Sequence, residues 1–418
     1  MAINDSSVNQ LASEQKKLEA NYNALRLENL ALDLTRGKPS SAQLNLSNKL
    51  DGILEDFFLL QDGTDVRNYG GIRGIPEARD MGALFLDVDP SNVMVGGNSS
   101  LTLMYQYVEH MLPIWRSESS TIKFICVTPG YDRHFTICEQ FSIEMISVKL
   151  TNDGPDMERI FSLVENDSSI KGIWCVPKYS NPTGHTYSKK TVQSFAQLGK
   201  VAGDNFRIIW DNAYAVHHLG DTPEKLENIK WACEKEGTAD NVVMFASTSK
   251  VTFAGGGISF FSSSHKNLDD FEKYLSAQLI GFDKVNQLRH VRFLKNELAI
   301  TEHMKKHKEI IQPKFALVEA KLNTSFAGKN IATWTKPNGG YFVSLDTTHK
   351  VADKVVNLAS AVGVKLTPAG ATYPYGRDPN NSNIRIAPTY PPMSELEKAM
   401  DVLVLCIELA TVNHLVNI

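Results

Sequence analysis

The 418-residue sequence has no long apolar run, few cysteines and no excess of positive charge. Its apolar runs fall short of the roughly 18 residues of a membrane span, and its polar start, MAINDSSVNQ, lacks the apolar core of a signal peptide. The five cysteines show no metal-ligand or disulfide-rich spacing, and 43 basic against 47 acidic residues give no reason to expect a nucleic-acid partner. We therefore expect a soluble, cytoplasmic protein with no metal site.

What the sequence does contain is an alternation of short apolar runs and helical segments such as Tyr187–Val201. Several runs are apolar nearly throughout, as strands buried on both faces are. The predicted strands are Val93–Gly97, Ile122–Val127, Ile143–Val148, Gly172–Val176, Arg207–Trp210, Asn241–Ala246 and Ile258–Phe261. This order predicts an α/β fold: a three-layer α/β/α large domain with a mostly parallel seven-stranded sheet. Ligands of such sheets bind at the carboxyl ends of the strands.

The rest of the chain predicts a smaller α+β domain. Apolar spacing indicates one long helix from about Leu288 to Leu322, with a kink at Pro313. The predicted strands after it are Ala332–Leu345, Val362–Lys365 and Asn383–Ile386, and the predicted helices are Val351–Val362 and Met393–Val412. An amphipathic helix over Leu11–Asn29 could dock on this domain. We expect residues 1–50 to pack with the small domain, 51–290 to form the large domain and 291–418 the small one.

Four local features could carry chemistry, although each has an ordinary structural interpretation. Asn181-Pro-Thr-Gly184 is a typical turn, and Asp211, after an apolar run, could be a helix cap. A lysine such as Lys250 in Ser247-Thr-Ser-Lys is usually solvated, but the apolar and glycine-rich Val-Thr-Phe-Ala-Gly-Gly-Gly that follows suggests crowded surroundings. Arg385, between Ile384 and Ile386, could point to solvent. Their joint order is more informative than any one of them.

This order resembles that of the class I/II aminotransferases, enzymes that use pyridoxal 5′-phosphate (PLP). Three longer stretches, Asp33–Ser40, Asn68–Glu77 and Thr248–Gly257, are similar to a divergent bacterial subgroup that includes aspartate aminotransferases. The resemblance implies that Lys250 forms the Schiff base with PLP and acts as general base and acid at the substrate Cα. It implies that Asp211 holds the proton on the pyridine nitrogen, and that Tyr214 and Asn181 bind the phenolic oxygen of the cofactor.

The resemblance also implies a phosphate site and a substrate site. The implied phosphate ligands are Asn98, Ser99, Ser100, Ser247, Ser249 and, from a partner subunit, Tyr69. Tyr131 matches the aromatic residue that stacks on the cofactor ring, Arg385 the clamp for the substrate α-carboxylate, and Gly37 backbone beside the substrate. For the cap at Ser99 and for either tyrosine, ordinary capping or core packing is the alternative.

One position departs from the family pattern. Many members carry an arginine eight or nine residues after the Schiff-base lysine, paired with the phosphate, whereas Ser259 or a neighbour takes that place in this sequence. Another cation, or backbone and hydroxyl donors alone, must then neutralise the phosphate. The substitutes that the sequence offers are Arg73, Lys38 and Arg36.

Transamination is the leading functional hypothesis, with aspartate and 2-oxoglutarate as the first substrate pair. A distal carboxylate would need a second cation, for which the sequence offers Arg36, Arg67, Arg73, Arg133 and Arg377. Other PLP chemistry, such as elimination, decarboxylation or racemisation, would keep the same fold. A PLP-sensing transcription regulator is a third alternative, but only about 30 residues precede Leu32, without a helix-turn-helix pattern. The family resemblance implies a homodimer.

Overall fold

A computed structural model describes residues 7–417 of the chain. Residues 1–6, at the start of the first predicted domain, and residue 418, the last of the third, lie outside the described residues. The helices are α1 Val8–Leu25, α2 Ser41–Asn45, α3 Pro76–Leu86, α4 Ser100–Glu118, α5 Asp132–Gln140, α6 Met157–Asn166, α7 Lys189–Ala202, α8 Ile229–Glu236, α9 His265–Leu275, α10 Lys284–Leu294, α11 Glu297–Phe326, α12 Ala352–Ala361 and α13 Met393–Val416. The strands are β1 Leu32–Asp33, β2 Val93–Gly96, β3 Lys123–Thr128, β4 Glu144–Thr151, β5 Gly154–Pro155, β6 Ile170–Cys175, β7 Arg207–Asp211, β8 Val242–Ser247, β9 Ser259–Ser262, β10 Ala332–Trp334, β11 Val343–Thr347, β12 Val364–Lys365 and β13 Asn383–Ile386.

The large sheet has the strand order β2-β9-β8-β7-β6-β3-β4-β5. The five strands from β8 to β4 pair in parallel, and β9 runs antiparallel to both β2 and β8. The α/β prediction and the mostly parallel sheet are confirmed. The prediction of seven strands was one short: β5, only two residues long and antiparallel to β4, forms the edge. Its Gly-Pro sequence gives no strand signal, because proline is tolerated only where a strand leaves its N–H unpaired.

Alternate residues of the central strands enter two different cores, which explains their apolar composition. Ile208 of β7 packs with α3, α7 and α8 on one face, whereas its neighbour Ile209 packs with α4, α5 and α9 on the other. Strand side chains point alternately to the two faces of a sheet, so a strand covered by helices on both sides is apolar at every position. The arrangement is the three-layer α/β/α domain predicted from the sequence.

A third core unites the two ends of the chain. Helix α1 packs on α13, the Tyr22 hydroxyl of α1 donates to the carbonyl of Leu358 in α12 at 2.9 Å, and β1 pairs in parallel with β12. Helix α13 is, among residues 7–417, the one long and apolar enough to cross a membrane by length and composition, and 61% of its most apolar window is buried inside the protein. The strands β10, β11 and β13 form an antiparallel sheet in the same region. The domain limits at residues 50 and 290 stay predictions.

Two predicted elements were wrong in detail. The long helix over 288–322 is two helices, because Lys295 adopts a φ of 49° and Asn296 caps α11 by accepting from the Ala299 amide. Pro313, the expected kink, lies inside α11. The single strand predicted over 332–345 is two strands, β10 and β11, paired through Trp334 and Leu345.

Candidate active site

Many of the predicted site residues lie at one edge of the large sheet, at the ends of strands or in the loops that follow them. Asp211 and Ser247 are the last residues of β7 and β8, and Tyr131 and Asn181 follow β3 and β6. These four strands run in the same direction, so their carboxyl ends meet at one edge. Asn98 follows β2, whose parallel orientation to β8 follows from its antiparallel pairing with β9.

The Asp211 carboxylate uses its two oxygens differently. Oδ2 lies 3.1 Å from Nε2 of His134, and the His134 ring stacks on Trp174 with centroids 4.3 Å apart. Oδ1 is buried and has no hydrogen-bond partner among the described residues. A buried carboxylate oxygen without a partner is costly, which indicates that it faces a donor supplied from outside the chain.

Lys250 is held beside aromatic rings. Its Nζ lies 5.0 Å from the centroid of the Tyr214 ring, and its carbonyl accepts from the Tyr341 hydroxyl at 3.2 Å. Burial lowers the pKa of the Lys250 amine, while the Asp211 carboxylate opposes that shift. A lowered pKa increases the fraction of neutral amine, the form that acts as nucleophile and base. Burial, together with Tyr131 and Asp211, raises the pKa of Tyr214 and keeps it a hydroxyl donor.

Hydroxyl and amide groups connect the loops after β2 and β8. Ser249 Oγ donates to the Asn98 carbonyl at 2.6 Å, and Asn98 Nδ2 donates to the carbonyl of Gly255 at 3.5 Å. Ser99 is the N-cap of α4 and accepts from the Leu101 amide at 3.2 Å. Ser100, the first residue of α4, and Ser247 are buried. An α-helix N-terminus with adjacent hydroxyls has the donors that a phosphate requires.

Ser259, at the position of the absent arginine, contacts the start of the same loop after β2. Its side chain is buried and donates to the carbonyl of Gly97 at 2.8 Å. Of the three cations that could replace the absent arginine, Arg73 forms ion pairs with Asp269 and Glu272. Lys38 lies 4.0 Å above the Tyr390 ring, and Arg36 is exposed. Among the described residues, none of the three forms a hydrogen bond or ion pair with the Asn98–Ser100 segment.

Arg385 is buried rather than directed to solvent, with 7% of its surface exposed. Its Nη1 donates to Asp132 Oδ1 at 2.8 Å and to Asn181 Oδ1 at 3.3 Å, and its guanidinium carbon lies 5.0 Å from the centroid of the Phe342 ring. Arg385 Nε is buried and has no partner among the described residues. The same Phe342 ring packs against Gly37, where no side chain would fit.

The two remaining tyrosines differ in their surroundings. The Tyr131 ring meets His134 edge-on at 5.0 Å, and burial, together with Asp211, raises its pKa. Tyr69 is 84% exposed, and within one chain it makes no ring contact or side-chain hydrogen bond with another predicted site residue. Its carbonyl accepts from Lys284 Nζ at 3.2 Å.

Three residues of the site escaped sequence analysis: His134, Asp132 and Phe342. His134 lies three residues after Tyr131 in Pro-Gly-Tyr-Asp-Arg-His, on the first turn of α5. Because residues three apart share a helix face, this spacing was a usable signal. Nothing in the sequence pairs Asp132 with Arg385 or places Phe342 under it, because both contacts are long-range.

Comparison with known proteins shows the family of the chain. The family model described as aspartate amino-transferase matches residues 6–418. A Mycolicibacterium smegmatis protein is 44% identical over 417 residues, covering 97% of each chain, and an aspartate aminotransferase of Corynebacterium glutamicum is 40% identical over 425 residues, covering 100% of this chain and 98% of its own. The crystal structure of an aspartate transaminase from Corynebacterium glutamicum superposes with a TM-score of 0.95 at 40% identity, covering 99% of each chain.

These matches identify the chain as an aminotransferase, an enzyme that uses pyridoxal phosphate and acts on an amino acid and a 2-oxo acid. The chain belongs to the aspartate amino-transferase family. Its residues fit the cofactor: Oδ1 of Asp211 offers an unpaired buried acceptor to a protonated ring nitrogen, and the N-terminus of α4 offers donors to a phosphate.

Proposed function

We propose that the protein transfers the amino group of L-aspartate to 2-oxoglutarate, with Lys250 as the group that moves the proton at the substrate Cα. The observation that carries the proposal is the convergence of three groups at one sheet edge. They are the buried amine of Lys250, the unpaired Oδ1 of Asp211 and the buried guanidinium of Arg385.

Each of the other predicted residues has a role in this proposal. The bound cofactor supplies an electron sink for the bond that breaks at Cα. Asp211 keeps a proton on its ring nitrogen while His134 holds the other carboxylate oxygen in place. Tyr214 and Asn181 bind the phenolic oxygen, and Tyr131 covers the ring face. Backbone and hydroxyl donors bind the phosphate in place of the absent arginine: Asn98, Ser99, Ser100, Ser247 and Ser249.

Substrate binding in this proposal needs two cations. Arg385 binds the α-carboxylate, next to the backbone of Gly37. For the distal carboxylate we favour Arg133, which is exposed on the first turn of α5, directly after Tyr131 and Asp132. Arg67 and Arg73 are paired with carboxylates of their own. Arg377 is exposed and lies in another segment, whereas Arg36, which precedes Gly37, is the alternative to Arg133.

A homodimer is the proposed assembly. Tyr69, Phe57, Leu59 and Ile280 expose 84%, 64%, 59% and 62% of their surfaces in the single chain. Their segments are adjacent, since two residues of α10 reach them: Lys284 Nζ donates to the Tyr69 carbonyl and Arg292 Nη2 to the Phe57 carbonyl. A second copy would cover this apolar surface and bring its Tyr69 to the phosphate. The proposed compartment is the cytoplasm, in keeping with five buried free cysteines.

An absorption experiment tests the reaction. Purified protein with PLP should show the visible band of the lysine-linked cofactor. L-Aspartate should convert it to the near-ultraviolet band of the aminated cofactor, and 2-oxoglutarate should restore it. Lys250→Ala should lack the visible band. Without 2-oxoglutarate, transamination should release one product molecule per site and stop, whereas elimination or decarboxylation would continue over many turnovers. A visible band unmoved by aspartate would exclude aspartate as donor.

Arg133→Gln tests the choice of substrate. It should raise KM for aspartate by roughly tenfold while leaving KM for L-alanine, which has no distal carboxylate, unchanged. Light scattering of the purified protein tests the assembly, since a monomeric mass in the presence of PLP would contradict the homodimer.

A further inference from the structure

Arg385 already binds a carboxylate of its own chain. Its Nη1 donates to Asp132 Oδ1 at 2.8 Å, and the same nitrogen donates to Asn181 at 3.3 Å. The pair is asymmetric in exposure, because 7% of the Arg385 side chain but 32% of the Asp132 side chain is exposed. The Arg385 guanidinium lies over the Phe342 ring, whereas the Asp132 carboxylate is partly exposed to solvent. Of the two partners, Asp132 is the one with room to move into solvent.

Local structure alone does not require Asp132 to contact Arg385. Asp132 is the first residue of α5, where an acid favours the helix through its dipole whichever way its side chain points. Arg385 comes from β13, more than 250 residues later, on the antiparallel sheet of the other domain. The ion pair therefore depends on how α5 and β13 meet across the site.

We propose that Asp132 competes with the substrate α-carboxylate for the guanidinium of Arg385 and so sets how tightly the site holds anions. The inference rests on the proposed role of Arg385. A buried arginine without a counter-charge is strongly unfavourable. Exchange of one carboxylate for another keeps Arg385 neutralised both before and after substrate binding.

This exchange suits a reaction with two successive products. Each half of transamination begins with the entry of one carboxylate-bearing molecule and ends with the departure of another. Asp132, returning to Arg385, takes the place of the departing carboxylate. By competing for Arg385, the Asp132 carboxylate lowers the affinity of the site for every ligand whose carboxylate binds Arg385, including both products.

Binding of succinate, a dicarboxylate with no amino or keto group, tests the proposal without turnover. Asp132→Asn keeps the size of the side chain and an oxygen acceptor but removes the charge. Titration of the PLP-loaded protein by calorimetry should give a succinate Kd roughly tenfold lower than that of the wild type. Asp132→Glu retains the charge and should bind succinate within about threefold of the wild type.

Two further variants make the result specific. Glu139→Gln makes the same charge change on an exposed residue of α5 and should leave the succinate Kd unchanged. Arg385→Gln should abolish succinate binding. If it does not, the proposed role of Arg385 fails; if it does, and Asp132→Asn binds succinate no more tightly than the wild type, only the competition by Asp132 is overturned. A thermal unfolding scan of each variant confirms that it is folded before titration.

Discussion

A β-carbon on Gly37 would lie 2.1 Å from Cζ of Phe342, so these two residues fit only because one has no side chain. The same phenyl ring lies beneath the guanidinium of Arg385, with 5.0 Å between the guanidinium carbon and the ring centroid. The N-terminal segment thus fixes, through one aromatic ring, the position of the arginine proposed to bind substrate.

Gly37→Ala should therefore impair substrate binding. The added methyl group must displace Phe342, and overpacking of this kind typically costs about 1–3 kcal/mol. We expect KM to rise about tenfold, with a smaller change in kcat, measured by steady-state kinetics. Gly220→Ala is the control, because its β-carbon would meet no atom closer than 3.7 Å. An unchanged KM for Gly37→Ala would contradict the link from Gly37 through Phe342 to Arg385.

Asp211→Asn should weaken both cofactor binding and turnover. The amide keeps a contact with His134 but removes the negative charge that stabilises a protonated ring nitrogen. Hydrogen bonds to charged groups contribute about 1.5–3 kcal/mol, so we expect at least a tenfold loss of kcat. The measurement is kcat at saturating PLP, together with the PLP dissociation constant. A variant with wild-type turnover would show that Oδ1 faces something other than the cofactor.

Ser259→Ala should lower the affinity for PLP without altering the fold. It removes the hydroxyl that holds the Gly97 carbonyl, at the start of the proposed phosphate loop. A net hydrogen bond contributes about 0.5–1.5 kcal/mol, which predicts a PLP Kd roughly three to ten times higher. Ser262→Ala is a matched control, since Ser262 is buried on the same strand and its Oγ has no partner among the described residues. Equal effects of the two substitutions would refute a special role for Ser259.

The protein should lose stability between about pH 6.5 and pH 4 through a buried histidine pair. His303 and His307 lie on α11 with their Nε2 atoms 3.1 Å apart, and burial, together with His303, lowers the pKa of His307 from 6.5 to about 4. Because the unfolded chain takes up this proton at a higher pH than the folded chain, the stabilising contribution is fully present above pH 6.5 and is lost as the pH falls towards 4.

Thermal midpoints measured from pH 7 to pH 4 test this prediction. His307→Gln should show a shallower decline than the wild type, because glutamine does not titrate. His265→Gln, an exposed residue at the start of α9, should decline as the wild type does. If His307→Gln follows the wild-type curve, the acid sensitivity arises from other groups.

The sequence was sufficient to predict those elements that depend on a local pattern of residues. Apolar runs predicted the central strands because both faces of each strand are covered, as at Ile208 and Ile209. It was insufficient where a long-range contact decides the outcome. The break at Lys295 depends on a backbone conformation that lysine rarely adopts, and the Asp132–Arg385 pair joins residues of different domains. The resemblance supplied the list of predicted site residues, but not His134, which contacts Asp211 Oδ2.

The pairing of α1 with α13, and of β1 with β12, has a consequence for biosynthesis. On the ribosome, α1 and β1 emerge well before their partners α13 and β12, which lie more than 300 residues later. The large domain, whose strands all lie between them, has its whole sequence available earlier. We expect the nascent chain to carry α1 without its partner, with Leu11 and Leu18 exposed, until α13 has been made. Polypeptides stalled before α13 should consequently depend on chaperones that bind apolar helices.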